Sequence, residues 1–280
     1  MWNKAPLSAA HGDGPSAPTS VRVERSRDAR SSEAETFKPS ASLGTGPRLR
    51  PDRTGLLALG LLLALAACRG GEEAQNSFPE PQRPVAPIES SGYLDEDSRD
   101  SHGEAERVME LAEIRAGMSV ADIGAGEGYY TVRLSPLVGE RGRVLAQDVV
   151  PETIHELARR VHRERLDNVA LKLGQPNNPL IPEASFDRVL MIHMYHEIPR
   201  PSEFLWNLRG ALKREGRVVV VDADRPTDRH GTPTRLLVCE FNAVGYELTR
   251  FERLDSETYF AQFEARGPRP VPAEIPPCTL

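Results

Sequence analysis

Cysteine is scarce, with three in 280 residues, at positions 68, 239 and 278. That excludes a disulfide-dense scaffold and leaves no spaced thiolate cluster for a structural metal. Cys239 and Cys278 are an even pair that an oxidising compartment would permit to join, but their spacing does not require it. Cys239, beside Leu236 and Leu237, reads as a buried packing residue. Aromatic residues are also sparse, at 6%, and no basic stripe interleaves with them. Nine Lys and Arg against six Asp and Glu give residues 1–67 a balance of +3, which leaves −9 on the rest of a chain whose total is −6. An acidic body is repelled by a nucleic-acid backbone, so no nucleic-acid partner is expected. The apolar run at 55–67 is thirteen residues long, short of the roughly 20 that a helix needs to cross a bilayer.

What is abundant is proline, 24 residues, and glycine, 22, both unevenly placed. Residues 1–53 and 69–92 run through Pro, Ser, Gly and charge without hydrophobic periodicity, and cannot offset the entropy of ordering them. The expected organisation is a disordered or misassigned extension at 1–53, a signal at 54–68, a linker and lead-in at 69–102, an α/β domain at 103–266 and a Pro-rich tail at 267–280. The signal is read from Arg48, Arg50 and Arg53 ahead of a short apolar core, a pattern of export rather than of membrane spanning. Its end, Leu65-Ala66-Ala67-Cys68, resembles the lipobox of bacterial lipoproteins. That resemblance implies a lipidated Cys68, a membrane tether and a place at the cell membrane or periplasm. Export signals start only a few residues before their apolar run, so a true start near Leu49 is expected; otherwise the signal is cryptic and the protein cytoplasmic.

From residue 103 strands and helices alternate. Val108, Met109, Leu111 and Ile114 give a lead-in helix over 103–114 its apolar face. Strands are expected at 119–123, 144–148, 168–173, 186–192 and 216–222, with helices running to about Val138, from Pro151, over 201–213 and over 234–244. This alternation predicts a doubly wound, mostly parallel sheet. Two further segments, 246–251 and 257–263, are expected to close it as an antiparallel hairpin, making seven strands.

Gly124, Gly126 and Gly128 stand where the first strand must turn sharply into a helix and let a ligand approach the backbone. The spacing departs from the dinucleotide fingerprint, since the third glycine falls at 128 and position 129 is Tyr. The string from Val120 through Asp122 to Tyr129 closely resembles motif I of class I methyltransferases. The resemblance implies a Rossmann-like fold, S-adenosylmethionine as cofactor, and a loop organised around its amino-acid end by Asp122. Asp148, at the end of the second strand, is placed to accept both ribose hydroxyls. After strand three, where relatives present acidic residues to adenine, this chain has Asn177 and Asn178; the Asn177 amide oxygen is the expected acceptor.

The resemblance continues through Phe186 to Ile198 and implies that the end of strand four faces the methyl-bearing sulfur and the acceptor. His193 replaces an Asp common in relatives and puts an imidazole where it could deprotonate the acceptor. Tyr195 and His196 complete the catalytic candidates, with a backbone-bonding structural part as the alternative for both histidines. Tyr129 and Tyr130 are weaker cavity candidates, and His230 reads as a solvent-facing turn with a possible polar contact. His196 and Glu197, with a histidine three residues back, are too few for a metal site, so no metal is expected. The implied activity is methyl transfer to a small-molecule or envelope-associated acceptor. The non-enzymatic alternative is a lipoprotein that binds S-adenosylmethionine or a nucleoside on the same scaffold.

Overall fold

The computed structural model describes residues 77–88 and 96–279; the extension, the apolar run and Cys68 lie outside the described residues. Helices α1 (Glu96–Ser101) and α2 (Glu104–Leu111) lead into β1 (Ser119–Ile123), α3 (Tyr129–Val138), β2 (Arg143–Asp148), α4 (Pro151–Arg163) and β3 (Val169–Leu173). Then follow β4 (Phe186–Ile192), α5 (Pro201–Arg209), β5 (Leu212–Ala223), α6 (Thr234–Ala243), β6 (Tyr246–Arg253) and β7 (Thr258–Ala265). The strands form one seven-stranded sheet in the order β3-β2-β1-β4-β5-β7-β6. Strands β1 to β5 pair in parallel, while β7 is antiparallel to both β5 and β6. The expected fold is the observed one, with the second strand of the hairpin inserted against β5.

Central strands carry continuous apolar runs, Val189–Ile192 in β4 and Val218–Val221 in β5, because both faces are covered there. Side chains alternate across the sheet: Ala121, Val189, Met191, Val218 and Val220 join α5 and α6 on one face. Val120, Leu190, Ile192, Val219 and Val221 join α2 and α3 on the other. Edge strand β6 alternates exposed residues with covered ones, Tyr246 buried and the alternate positions after it half-buried, the pattern of a strand with one face toward the core. Helix α5 stops at Arg209, before the expected Lys213, because residues 210–211 leave the helix to accept the backbone N–H groups of 184–186, and Leu212 pairs with Phe186.

Two segments expected to be loose are built into the domain. In the supposed linker, residues 96–101 form α1, and Arg83 is buried with its Nε 3.0 Å from Glu240 Oε1 on α6. Its other nitrogens donate to the carbonyls of Tyr195, His196 and Ile198. The Pro-rich tail folds back over α5: Trp206 Nε1 donates to Pro270 O at 2.8 Å, and Arg209 takes the carbonyls of Val244, Arg266, Gly267 and Pro268. Proline-rich backbone has few donors of its own but intact acceptors, so side-chain donors anchor it. The tail ends in a disulfide between Cys239 and Cys278, so Cys239 is not the expected buried packing residue but an exposed, bonded one.

Replacing Arg83 by Met should leave Glu240 and three carbonyls without their buried partner and lower unfolding free energy by about 3 to 5 kcal/mol. Urea denaturation checks this. A loss below about 1 kcal/mol would mean that residues 77–88 are not docked as described.

Candidate functional site

Parallel strands deliver their carboxyl ends to one side of the sheet, where α/β folds bind ligands. Here the loops after β1, β2 and β4 wall a cavity of about 320 Å³, within the range of small-molecule sites. Gly124, Ala125, Gly126 and Glu127 form one wall, and Gln147 and Asp148 lie at the end of β2. His193 and Met194, which follow β4, and Glu96 and Arg99 of α1 complete the lining.

The loop requires its glycines for space as well as for dihedral angles. Gly124 has φ of 68°, and a Cβ there would lie 2.9 Å from Met194 Cγ. Gly128 has φ of 92° at the start of α3, and a Cβ there would meet Leu157 Cδ1 at 2.4 Å. Asp148 holds the loop: Oδ2 accepts from Gly126 N and Oδ1 from Val150 N, both at 3.0 Å. Next to it, Gln147 Nε2 is a buried donor with no hydrogen-bond partner among the described residues. That nitrogen lies against Gly174 rather than open to the cavity; it is the glycine wall, which leaves the backbone open to contact, that fits an adenosyl group.

The expected loop-organising duty of Asp122 falls instead to Asp148. Asp122 is buried behind the cavity, where Oδ2 accepts from Thr131 Oγ1 at 2.6 Å and ties β1 to α3. Burial pushes its carboxyl up to about 6 against the Thr131 hydrogen bond, and the nearby Asp148 charge adds to the rise.

At the opposite end His193 is held in the left-handed region with φ of 55°, its N–H donating to Val221 O. Its Nε2 lies 3.4 Å from Glu104 Oε2. Glu104 also accepts from Arg99 Nη2 at 2.6 Å and from the Tyr130 hydroxyl at 2.9 Å. Burial alone would raise Glu104, but the hydrogen bond and charge of His193, with Arg99, hold it down at about 2. Tyr129 lines the cavity with the guanidinium carbons of Arg99 and Arg133 at 3.8 and 3.9 Å from its ring centre. Arg160 ties α1 down through both oxygens of Glu96 and the carbonyl of Glu127.

Three candidates lie elsewhere than expected. Tyr195 is fully buried in the core against Phe241, its hydroxyl donating to Glu240 Oε2 at 2.8 Å. His196 is buried beside the cavity rather than in its wall, with Nδ1 3.0 Å from Asp222 Oδ1. Asn177 gives its amide nitrogen to Glu203 Oε1 at 2.6 Å, and Pro176 lines the cavity in its place. Sequence reasoning passed over Glu96, Arg99, Glu104 and Gln147. Helix α1 buries no residue, so it carries no hydrophobic period, and Gln147 differs in no local way from other strand residues.

Comparison with known proteins agrees with this geometry. The family described as Protein-L-isoaspartate(D-aspartate) O-methyltransferase (PCMT) matches residues 98–224. A protein-L-isoaspartate O-methyltransferase of Methanothrix thermoacetophila is 29% identical over 149 residues, 51% of this chain and 65% of that protein. Protein-L-isoaspartate O-methyltransferase 2 of Archaeoglobus fulgidus is 30% identical over 118 residues, 42% of this chain and 51% of its own length. The chain thus spans about half to two thirds of these curated relatives. The crystal structure of a SAM dependent methyltransferase from Aquifex aeolicus superposes with a TM-score of 0.54 at 22% identity, covering 61% of this chain and 98% of that one. The domain has the class I methyltransferase fold. The region matched by the family carries the glycine loop and stops before α6 and the closing hairpin.

Asp122 gives this methyltransferase fold a testable pH dependence. Its folded pKa, about 6, exceeds the ordinary 3.8, so the folded state holds the proton more tightly and stability falls as pH rises from about 4 to 6. The full cost, on the order of 3 kcal/mol, is present above that window. Urea unfolding at pH 4 and pH 7 should show the native chain losing more stability across the interval than Asp122→Asn. Parallel pH profiles would refute the burial argument.

Proposed function

We propose that this chain transfers the methyl group of S-adenosylmethionine to a heteroatom of a small-molecule acceptor. The observation that carries the reading is one cavity with the glycine loop and Asp148 at one end and the His193–Glu104 pair at the other. When bound, the sulfonium supplies an activated methyl group, so the protein has mainly to align donor and acceptor and exclude water. Asp148 exchanges its loop hydrogen bonds for ribose hydroxyls when the cofactor binds. His193 takes the acceptor proton, and the Glu104 carboxylate stabilises the imidazolium that results. The size of the cavity, about 320 Å³, supports a small acceptor. The relatives bear the name of a protein-directed enzyme, but their family match ends at residue 224, ahead of His230, α6 and the hairpin.

We also propose that the domain works outside the cytosol, tethered through a lipidated Cys68. The Cys239–Cys278 disulfide supports this, since such bonds persist in oxidising compartments. Among the described residues no helix is long and apolar enough to cross a membrane, and a lipid anchor needs none.

Calorimetry should give a micromolar-range dissociation constant for S-adenosylmethionine, about −8 kcal/mol. Asp148→Ala should weaken binding by roughly 2 kcal/mol through loss of charged hydrogen bonds, and His193→Ala should lower methyl-transfer kcat by about 10² or more. Absence of heat at millimolar cofactor would sink the reading, whereas binding without turnover on any acceptor would favour the non-enzymatic alternative. For the tether, Cys68→Ser should abolish metabolic labelling by a fatty acid, and labelling that persists would defeat the assignment.

A further inference from the structure

Beside the cofactor cavity three side chains from two turns converge. His196 and Glu197 sit on the turn Tyr195–Glu197 that follows β4, and His230 caps the turn Thr227–Arg229 that follows β5. One nitrogen or oxygen from each lies within 4.8 Å of the other two. The two imidazole rings stand perpendicular, 5.4 Å apart between centres. His196 is buried, and Glu197 and His230 are half-buried. We propose that His196, Glu197 and His230 form a binding site for a divalent transition-metal ion, zinc foremost, next to the methyl-transfer cavity.

The donor set is two imidazoles and one carboxylate, a combination that suits zinc and other first-row divalent ions. Ligand bonds of about 2.0 to 2.1 Å in a tetrahedron put donor atoms roughly 3.3 Å apart, so modest side-chain rotation in the two half-buried residues would close the set. The surroundings are those of a ligating histidine. Asp222 Oδ1 and Oδ2 lie 3.0 and 3.1 Å from His196 Nδ1, and an acceptor-only carboxylate there selects the tautomer protonated at Nδ1. The lone pair then sits on Nε2, as in the carboxylate–histidine–metal arrangement. Asp222 is itself fixed by Thr232 Oγ1 at 2.7 Å and Ala223 N at 2.9 Å.

Both turns are also anchored. Arg83 donates to the carbonyls of Tyr195, His196 and Ile198 beneath the first. Thr227 Oγ1 donates to Pro84 O, and Arg225 to the carbonyl of His230, which is held at φ of 55°. Glu197 belongs to the cavity wall as well as to the cluster. A fourth position on that side is open to the heteroatom of an acceptor, whose proton affinity the ion would lower. That last step rests on the methyl-transfer reading; the metal site itself does not. The sequence showed only the adjacent pair, because His230 arrives from a different strand end.

The test is titration of Co²⁺ into the chelator-treated full chain, read by visible d–d absorption and by displacement with Zn²⁺. One equivalent should saturate the signal. His230→Ala and Glu197→Gln should each weaken Co²⁺ binding at least about tenfold with thermal unfolding little changed, and Asp222→Asn should weaken it about 10- to 100-fold. Absence of a saturable one-equivalent signal, or native affinity in both ligand variants, overturns the site; if one variant does not fold, the other decides. S-adenosylmethionine calorimetry on the same samples separates the two ideas. Cofactor binding without metal binding ends this proposal alone, and metal binding without cofactor binding ends the methyl-transfer reading alone.

Discussion

A buried guanidinium must find acceptors for all its donors or cost several kcal/mol, and Arg83 meets that demand in a way that organises the reaction end of the molecule. Its side chain is 0% exposed. Glu240 neutralises it from α6, and three consecutive-region carbonyls after β4 take the remaining donors. The Tyr195 hydroxyl completes the Glu240 shell. Burial raises the pKa of Glu240, and the Arg83 charge with the Tyr195 hydrogen bond opposes it. One ion pair therefore joins the segment before the domain, the turn that carries His196 and Glu197, and the helix whose Cys239 is bonded to the tail.

The cofactor end follows a different logic. There the constraint is close approach of backbone to ligand, met by glycine and by a carboxylate that pulls the loop into shape. Glu96, Glu127, Asp148 and Glu197 line the cavity against Arg99, a balance that suits a ligand carrying positive charge. Helix α1 has no apolar face, and what attaches it is charge: Arg99 on Tyr129, Asp100 on Arg133, Glu96 on Arg160. Arg99 is largely buried between Glu104 and the Tyr129 ring, whereas the Arg133–Asp100 and Arg160–Glu96 pairs are partly exposed and contribute little individually.

The sheet could be read from the chain because both-face burial imposes continuous apolar runs such as Val189–Ile192, and because the glycine loop and Asp148 occur at fixed offsets along one βαβ unit. Asn177 and Tyr195 were misplaced for a shared reason. Each was assigned by its offset along the chain, but its side chain was claimed by a distant partner, Glu203 or Glu240. Residues 77–88 and 267–279 looked loose because proline and charge carry no period. They are ordered by long-range contacts of individual side chains, such as Arg83 and Arg209, which no window along the sequence can register.

By itself, then, the amino-acid order determined the strand and helix succession, the seven-stranded sheet with its closing hairpin, and the glycine loop after the first strand. Those depend on periodicity and on backbone freedom, which are local. Only the tertiary structure decided that Arg83 meets Glu240 across 157 residues, that Cys239 reaches Cys278, that His193 faces Glu104, and that His230 joins His196 and Glu197. Each of these pairs comes from segments brought together by strand register and helix packing, and a side chain's partner exists only once those surfaces have met.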